Sequence, residues 1–176
     1  MIQVTKSVTL MKPRAEVYEF WRRLERLPSF MIHLVSVTTT GDRRSHWIAN
    51  APGGTQVEWD AEIVGERENE FISWRSLDGS QVQNEGSVRF KDAPADRGTE
   101  VKVELSYDAP GGAAGAAIAK WFGEEPSLQL TDDLRRFKQV METGEVVLSE
   151  GSLKGAGEGA AAERPAQAPA AVEVRS

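Results

Sequence analysis

The sequence predicts an α+β domain in which a curved antiparallel sheet of seven strands is closed by a long C-terminal helix, with two short helices between strands one and two. Three observations carry this. From Ile2 to Tyr107 most residues fall in short runs that alternate apolar and polar positions, separated by turn residues. The connections between runs are too short for crossover helices, so neighbours must pair antiparallel. Only from Pro110 to Gly144, after the last run, does a long stretch keep helical spacing.

The first run, Ile2 to Leu10, sets Ile2, Val4, Val8 and Leu10 against Gln3, Thr5, Ser7 and Thr9, the period of a half-buried strand. Pro13 then suits the first turn of a helix with Val17, Phe20, Trp21 and Leu24 on one side, and Pro28 ends it. Ser29 to Ile32 predicts a second short helical turn. Six strands follow: Val35–Thr40, Arg44–Asn50, Thr55–Val64, Glu70–Ser76, Gln81–Lys91 and Thr99–Tyr107. Gly41-Asp42, Ala51 to Gly54, Gly65 to Asn69, Leu77 to Ser80 and Asp92 to Gly98 supply the turn chemistry between them. Val57, Trp59, Ala61 and Ile63 share one face, against Glu58, Asp60 and Glu62 on a solvated one. Val101, Val103, Leu105 and Tyr107 likewise oppose Lys102, Glu104 and Ser106.

In the last stretch Ala113 to Phe122 reads as a helix of small residues, and Pro126 interrupts the path before a more amphipathic half. There Leu130, Leu134, Phe137 and Met141 form one stripe, with Asp132, Asp133, Arg135, Arg136 and Lys138 on the opposite, charged face. Beyond Gly144 the chain turns to Gly, Ala, Glu and Pro, with no periodicity to offset the entropy of ordering. The expected organisation is one domain over residues 1–144 and a disordered tail over 145–176.

Composition narrows the function. A net charge of -6 argues against nonspecific attraction to phosphate backbones, so nucleic acid is not an expected partner. The absence of cysteine removes disulfides and thiolate chemistry and fits a reducing compartment. No apolar run reaches the roughly 18 residues of a membrane span, and MIQVTKSVTL lacks a secretory pattern, so a cytoplasmic protein without an integral membrane segment is expected. His33 and His46, the two histidines, lie on different elements without carboxylates at ligand spacing, so no metal site is expected and each reads as a surface or satisfied histidine. Gly111-Gly112 and Gly115 lack the strand, Lys-Ser/Thr ending and ribose-binding acid of a nucleotide loop, and no cofactor is expected.

The order of one strand, two short helices, six strands and a long helix, together with PRAEVYEFWRRLERLPSFMIHLVSV, VEWDAEIV, ISWRS, GSVRF and GTEVKVELSY, resembles the polyketide cyclase/dehydrase and lipid-transport superfamily. This is the helix-grip, START-like or SRPBCC fold, and the resemblance covers Ile2 to about Gly144. It implies a ligand chamber; members bind or transport lipids, sterols, quinones and polyketides, and some cyclise or dehydrate them.

Strand parity nominates the lining of such a chamber: Trp59, Val88, Phe90, Val103, Leu105 and Tyr107 from the sheet, with Leu134 and Phe137 from the helix. Trp47 and Trp74 are further candidates whose strands leave the inward face open, His46 with Ile48 competing with Trp47 and Phe71 with Trp74. Two polar groups are candidates for orienting a ligand. Tyr107 offers a phenol; Arg75 either faces inward to an acidic head group or faces outward to pair with Glu58 or Glu62. No catalytic constellation stands out, so the leading expectation is noncovalent binding of a hydrophobic small molecule by a monomer or weak homodimer. The rivals are a polyketide cyclase or dehydratase in the same chamber and an interaction module with a closed core.

Overall fold

The computed structural model describes residues 2–108, 112–122 and 126–144. Its elements run β1 (Ile2–Leu10), α1 (Arg14–Arg22), a 3-10 helix (Leu24–Ser29), β2 (Leu34–Thr39), β3 (Arg44–Asn50), β4 (Gln56–Arg67), β5 (Phe71–Ser76), β6 (Asn84–Asp92), β7 (Thr99–Tyr107), α2 (Gly112–Phe122) and α3 (Pro126–Thr143). All seven strands form one antiparallel sheet in the order β1-β7-β6-β5-β4-β3-β2. This is the expected α+β helix-grip architecture. Strands β2 to β7 meander, and β1 closes the far edge against β7. The segment from α1 through the 3-10 helix must therefore carry the chain from one edge of the sheet to the other.

The apolar face of the sheet is the one that parity assigns. Val57, Trp59, Ala61 and Ile63 are buried, as are Val101, Val103 and Tyr107. On β3 the buried set is Ser45, Trp47 and Ala49, and on β5 it is Ile72, Trp74 and Ser76, so the two open parities resolve with both tryptophans inward. At the bulge between Ile63 and Gly65 the β4 register shifts, which turns Val64 out to solvent and lets the strand run on to Arg67.

Local chemistry moves three boundaries. The second short helix lies at Leu24–Ser29 and not at Ser29 to Ile32. A 3-10 turn tolerates Pro28 near its end, and the Phe30 and Met31 amides close it on the Leu27 carbonyl. Strand β6 starts at Asn84 and not at Gln81, because side chains hold the preceding residues in the turn. Ser76 Oγ accepts from the Asn84 amide at 3.0 Å, and Gln83 Nε2 donates to the Ser80 carbonyl at 3.0 Å. The C-terminal stretch is two helices, α2 and α3, with Pro126 opening the second. Residues 145–176, expected to be a disordered tail, lie outside the described residues, as do Pro110 and Gly111.

The interior has a solid half. Trp21 meets Phe30 and Phe137 with ring centroids 5.3 and 5.1 Å apart, Phe30 meets Phe137 at 4.9 Å, and Tyr18 stands edge-on to Phe90 at 5.7 Å. This cluster ties α1 and α3 to the sheet beside β1, β6 and β7. Among the described residues no helix is long and apolar enough to cross a membrane.

The joint between β1 and β7 depends on Gly98. Its φ is +90°, and a Cβ added there would lie 2.0 Å from the Leu10 carbonyl oxygen. Gly98→Ala is expected to lower stability by about 2 kcal/mol or more. The midpoint of urea unfolding checks this, and an unchanged midpoint would refute it.

Candidate functional site

Beyond the aromatic cluster the sheet curves away from the helices, and α2 covers the gap with Ala117, Ile118 and Trp121 buried beneath it. The space left there is a cavity of about 80 Å³. A single water needs roughly 10–15 Å³, so the site is a hollow and not a packing flaw. All five tryptophans of the chain, Trp21, Trp47, Trp59, Trp74 and Trp121, stand on its wall.

Sheet register explains how they converge. Trp47 and Trp59 are direct partners across β3 and β4, and their rings stack 5.8 Å apart at 21°. Trp47 Nε1 donates to Ser45 Oγ at 2.8 Å, which fixes its indole edge. On β5, Trp74 lies opposite Gly86. A Cβ at Gly86 would come within 2.6 Å of the Trp74 ring and 2.9 Å of Leu105, so the missing side chain is what lets the indole lie flat on the sheet. Trp121 approaches from α2, 6.1 Å from Trp59, with its Nε1 donating to the Asn50 carbonyl. His33 stacks on the Trp121 ring at 4.9 Å.

The predicted lining residues separate into two groups. Trp47, Trp59, Trp74, Leu105 and Tyr107 stand on the wall of the hollow. Val88, Phe90, Val103, Leu134 and Phe137 do not; they are buried in the packed half, where rings from α1 and the turn at Phe30 occupy the space in front of the sheet. Arg75 points outward and pairs with Glu62, Nε at 3.0 Å and Nη2 at 2.9 Å, and so takes no part in the hollow. His46 is also outward, its Nδ1 2.9 Å from Asp60 and Nε2 3.4 Å from Glu58. The Asp60 hydrogen bond is the main cause of its raised pKa.

Three polar residues on the wall matter most. Tyr107 is buried, and desolvation pushes its phenol up to about 12, leaving a protonated hydroxyl. His33, expected to be a surface or satisfied histidine, is half-buried on the wall; desolvation first and Arg136 second lower it to about 4, so the ring is neutral at physiological pH. Asp133 corrects the outer-face assignment on α3, because only 2% of it is exposed. It sits three residues after Leu130 and four before Phe137, at the margin of the apolar stripe, so helical geometry turns it inward. Desolvation raises its carboxyl to about 6, against the opposing pull of Arg136 and Gln129. Spacing alone carried that signal, masked by the four charged neighbours. For His33, Trp121 and Trp21 only the tertiary fold supplies it.

Residues 11–135 match the family model described as polyketide cyclase/dehydrase and lipid transport. The chain belongs to this family. Its architecture recurs in the crystal structure of DR_A0006 from Deinococcus radiodurans, 40% identical, with a TM-score of 0.69, covering 82% of this chain and all of that one. A crystal structure of TTHA0849 from Thermus thermophilus, 24% identical with a TM-score of 0.58 over 76% of this chain and 92% of that one, shares the fold. A Streptomyces lincolnensis protein described as an uncharacterized 17.2 kDa protein is 27% identical over 145 residues, 81% of this chain and 91% of its own length. Family membership and fold point to hydrophobic ligand binding.

The two desolvated titrating groups on the wall act on stability with opposite sign. Asp133 binds its proton more tightly folded than unfolded, so its contribution is complete below about 3.8 and is lost as pH rises through about 6. His33 binds its proton less tightly when folded, so its contribution is complete above about 6.5 and is lost as pH falls through about 4. Between those limits the two slopes oppose each other. In Asp133→Asn, unfolding free energy is expected to rise with pH from about 4 to 6.5, by at most about 1.4 kcal/mol per pH unit. In His33→Gln it is expected to fall with pH from about 3.8 to 6. Denaturant titrations across this range check both signs.

Proposed function

We propose that residues 1–144 bind a hydrophobic small molecule noncovalently in the hollow between the sheet and α2. The observation that carries this reading is the convergence of all five tryptophans on one space large enough for several waters. Indole rings that merely stabilised a fold would be expected to interlock, as Trp21, Phe30 and Phe137 do in the packed half. Burying a ligand's apolar surface there would contribute roughly 25 cal/mol per Å². Binding to a monomer or weak homodimer in the cytoplasm completes the reading, the last on the cysteine-free composition. The unfilled space stands against a module with a closed core.

A second reading, cyclisation or dehydration of a polyketide-like substrate, draws support from Tyr107, whose protonated phenol on the wall suits donation to a carbonyl oxygen. Turnover of a poly-β-keto analogue that falls on Tyr107→Phe would favour it over binding alone.

The binding reading is tested by organic extraction of the purified protein with mass spectrometry, and by energy transfer from tryptophan to the uncharged dye N-phenyl-1-naphthylamine. Saturable transfer is expected. Gly86→Val, which pushes the Trp74 ring into the space, and Ile118→Phe, which fills it from α2, should each weaken binding about tenfold or more. Saturable binding that neither substitution changes would place the dye elsewhere and remove the support for this site.

A further inference from the structure

The wall of the hollow is uneven in its charge. Among the described residues it carries two carboxylates, Asp133 and Glu85, and no lysine or arginine. Glu85 is exposed at the mouth, whereas Asp133 lies inside with 2% of its surface accessible. The two oxygens of Asp133 differ. Oδ1 accepts from Gln129 Nε2 at 3.0 Å and from the Arg136 guanidinium, partners four residues before and three after it on the same helix. Oδ2 receives no hydrogen bond from the described residues, yet it is not among their sealed, unpartnered atoms. Asp133 itself is one of the residues that line the hollow.

A carboxylate held in this way is a preorganised acceptor. Arg136 is itself fixed, its Nε donating to the Phe30 carbonyl at 3.0 Å, so the carboxyl cannot swing to a new partner without breaking contacts on two elements. A buried carboxylate oxygen without a donor is costly, and a donor arriving in the hollow removes that cost. The charge balance then selects the ligand. An anionic head meets no cation among the described residues of the wall and faces Asp133 directly. A cationic head gains the indole faces but approaches Arg136, which already neutralises the carboxylate. A neutral hydroxyl or N–H on a ring avoids both penalties, and flat rings match the stacked pair of Trp47 and Trp59, with Trp121 tilted beside Trp59.

We propose that Asp133 is the specificity-determining residue of this hollow, its Oδ2 accepting a hydrogen bond from a hydroxyl or N–H group on a flat, uncharged ring ligand. The proposal rests on the binding reading above and narrows it away from fatty acids and phospholipids, whose heads are anionic.

The test uses the full chain and four probes of one shape at neutral pH: 2-naphthol, 2-methoxynaphthalene, 2-naphthoate and 2-naphthylmethylammonium, followed by calorimetry. The expected order places 2-naphthol about tenfold or more below the other three in Kd, the range for a hydrogen bond to a charged group. In Asp133→Asn, with Oδ1 still facing Gln129 and Arg136, an amide nitrogen takes the place of Oδ2, and the preference for naphthol over its methyl ether should vanish or invert. A loss of stability alone would lower both affinities without moving that ratio. Equal wild-type affinity for naphthol and methoxynaphthalene, or tightest binding of the anion or the cation, overturns the proposal even if the variant does not fold. Binding of none of the four removes the chamber reading itself, and the Asp133 assignment with it.

Discussion

The three-ring contact of Trp21, Phe30 and Phe137 sets the geometry on which everything else depends. With centroids 4.9 to 5.3 Å apart, these rings join α1, the turn after the 3-10 helix and α3 into one block. The block fills the space before β1, β6 and β7 and so determines how far α3 stands from the sheet. A rigid wedge at one end of a curved surface leaves the other end unfilled unless a second element follows the curve. The element placed there is α2, which covers the gap and does not fill it.

The tryptophans show how one residue type can act in both halves. Trp21 belongs to the wedge and also presents part of its ring to the hollow. Trp47, Trp59 and Trp74 come from consecutive strands, and two details of the sheet keep them from closing the space. The first is the direct register of Trp47 with Trp59, which stacks the rings along the wall. The second is Gly86, whose bare backbone lets Trp74 lie down where any side chain would lift it. Polar atoms are placed with similar economy: Trp47 and Trp121 give their indole N–H groups to Ser45 and to the Asn50 carbonyl, leaving their ring faces to the interior.

The charged residues divide by face for a physical reason. On the solvated side, Arg75 pairs with Glu62, and His46 bridges Asp60 and Glu58, in high dielectric where such contacts add little to stability. On the inner side, Asp133 and Arg136 form a pair whose desolvation is severe, and such pairs are weak evidence for a purely stabilising role. That contrast makes the inner pair the more informative one about function.

Sequence alone determined the order of elements, the antiparallel pairing of neighbours and the inward side of β4, β6 and β7, because a period of two on a half-buried strand admits only one orientation. It put Asp133 on the charged outer face of α3, although its spacing from Leu130 and Phe137 pointed inward, since residues three and four positions away on a helix share a side; the structure buries it. Tertiary structure decided the rest. Whether Phe90 and Phe137 face a hollow or a solid core depends on what α1 puts in front of them, and no local pattern on β6 or α3 encodes that distance. The stacking of His33 on Trp121 and the arrival of Trp121 beside Trp59 depend on where α2 returns to the sheet. Periodicity fixes the direction a side chain points; only the packed chain determines what it meets there.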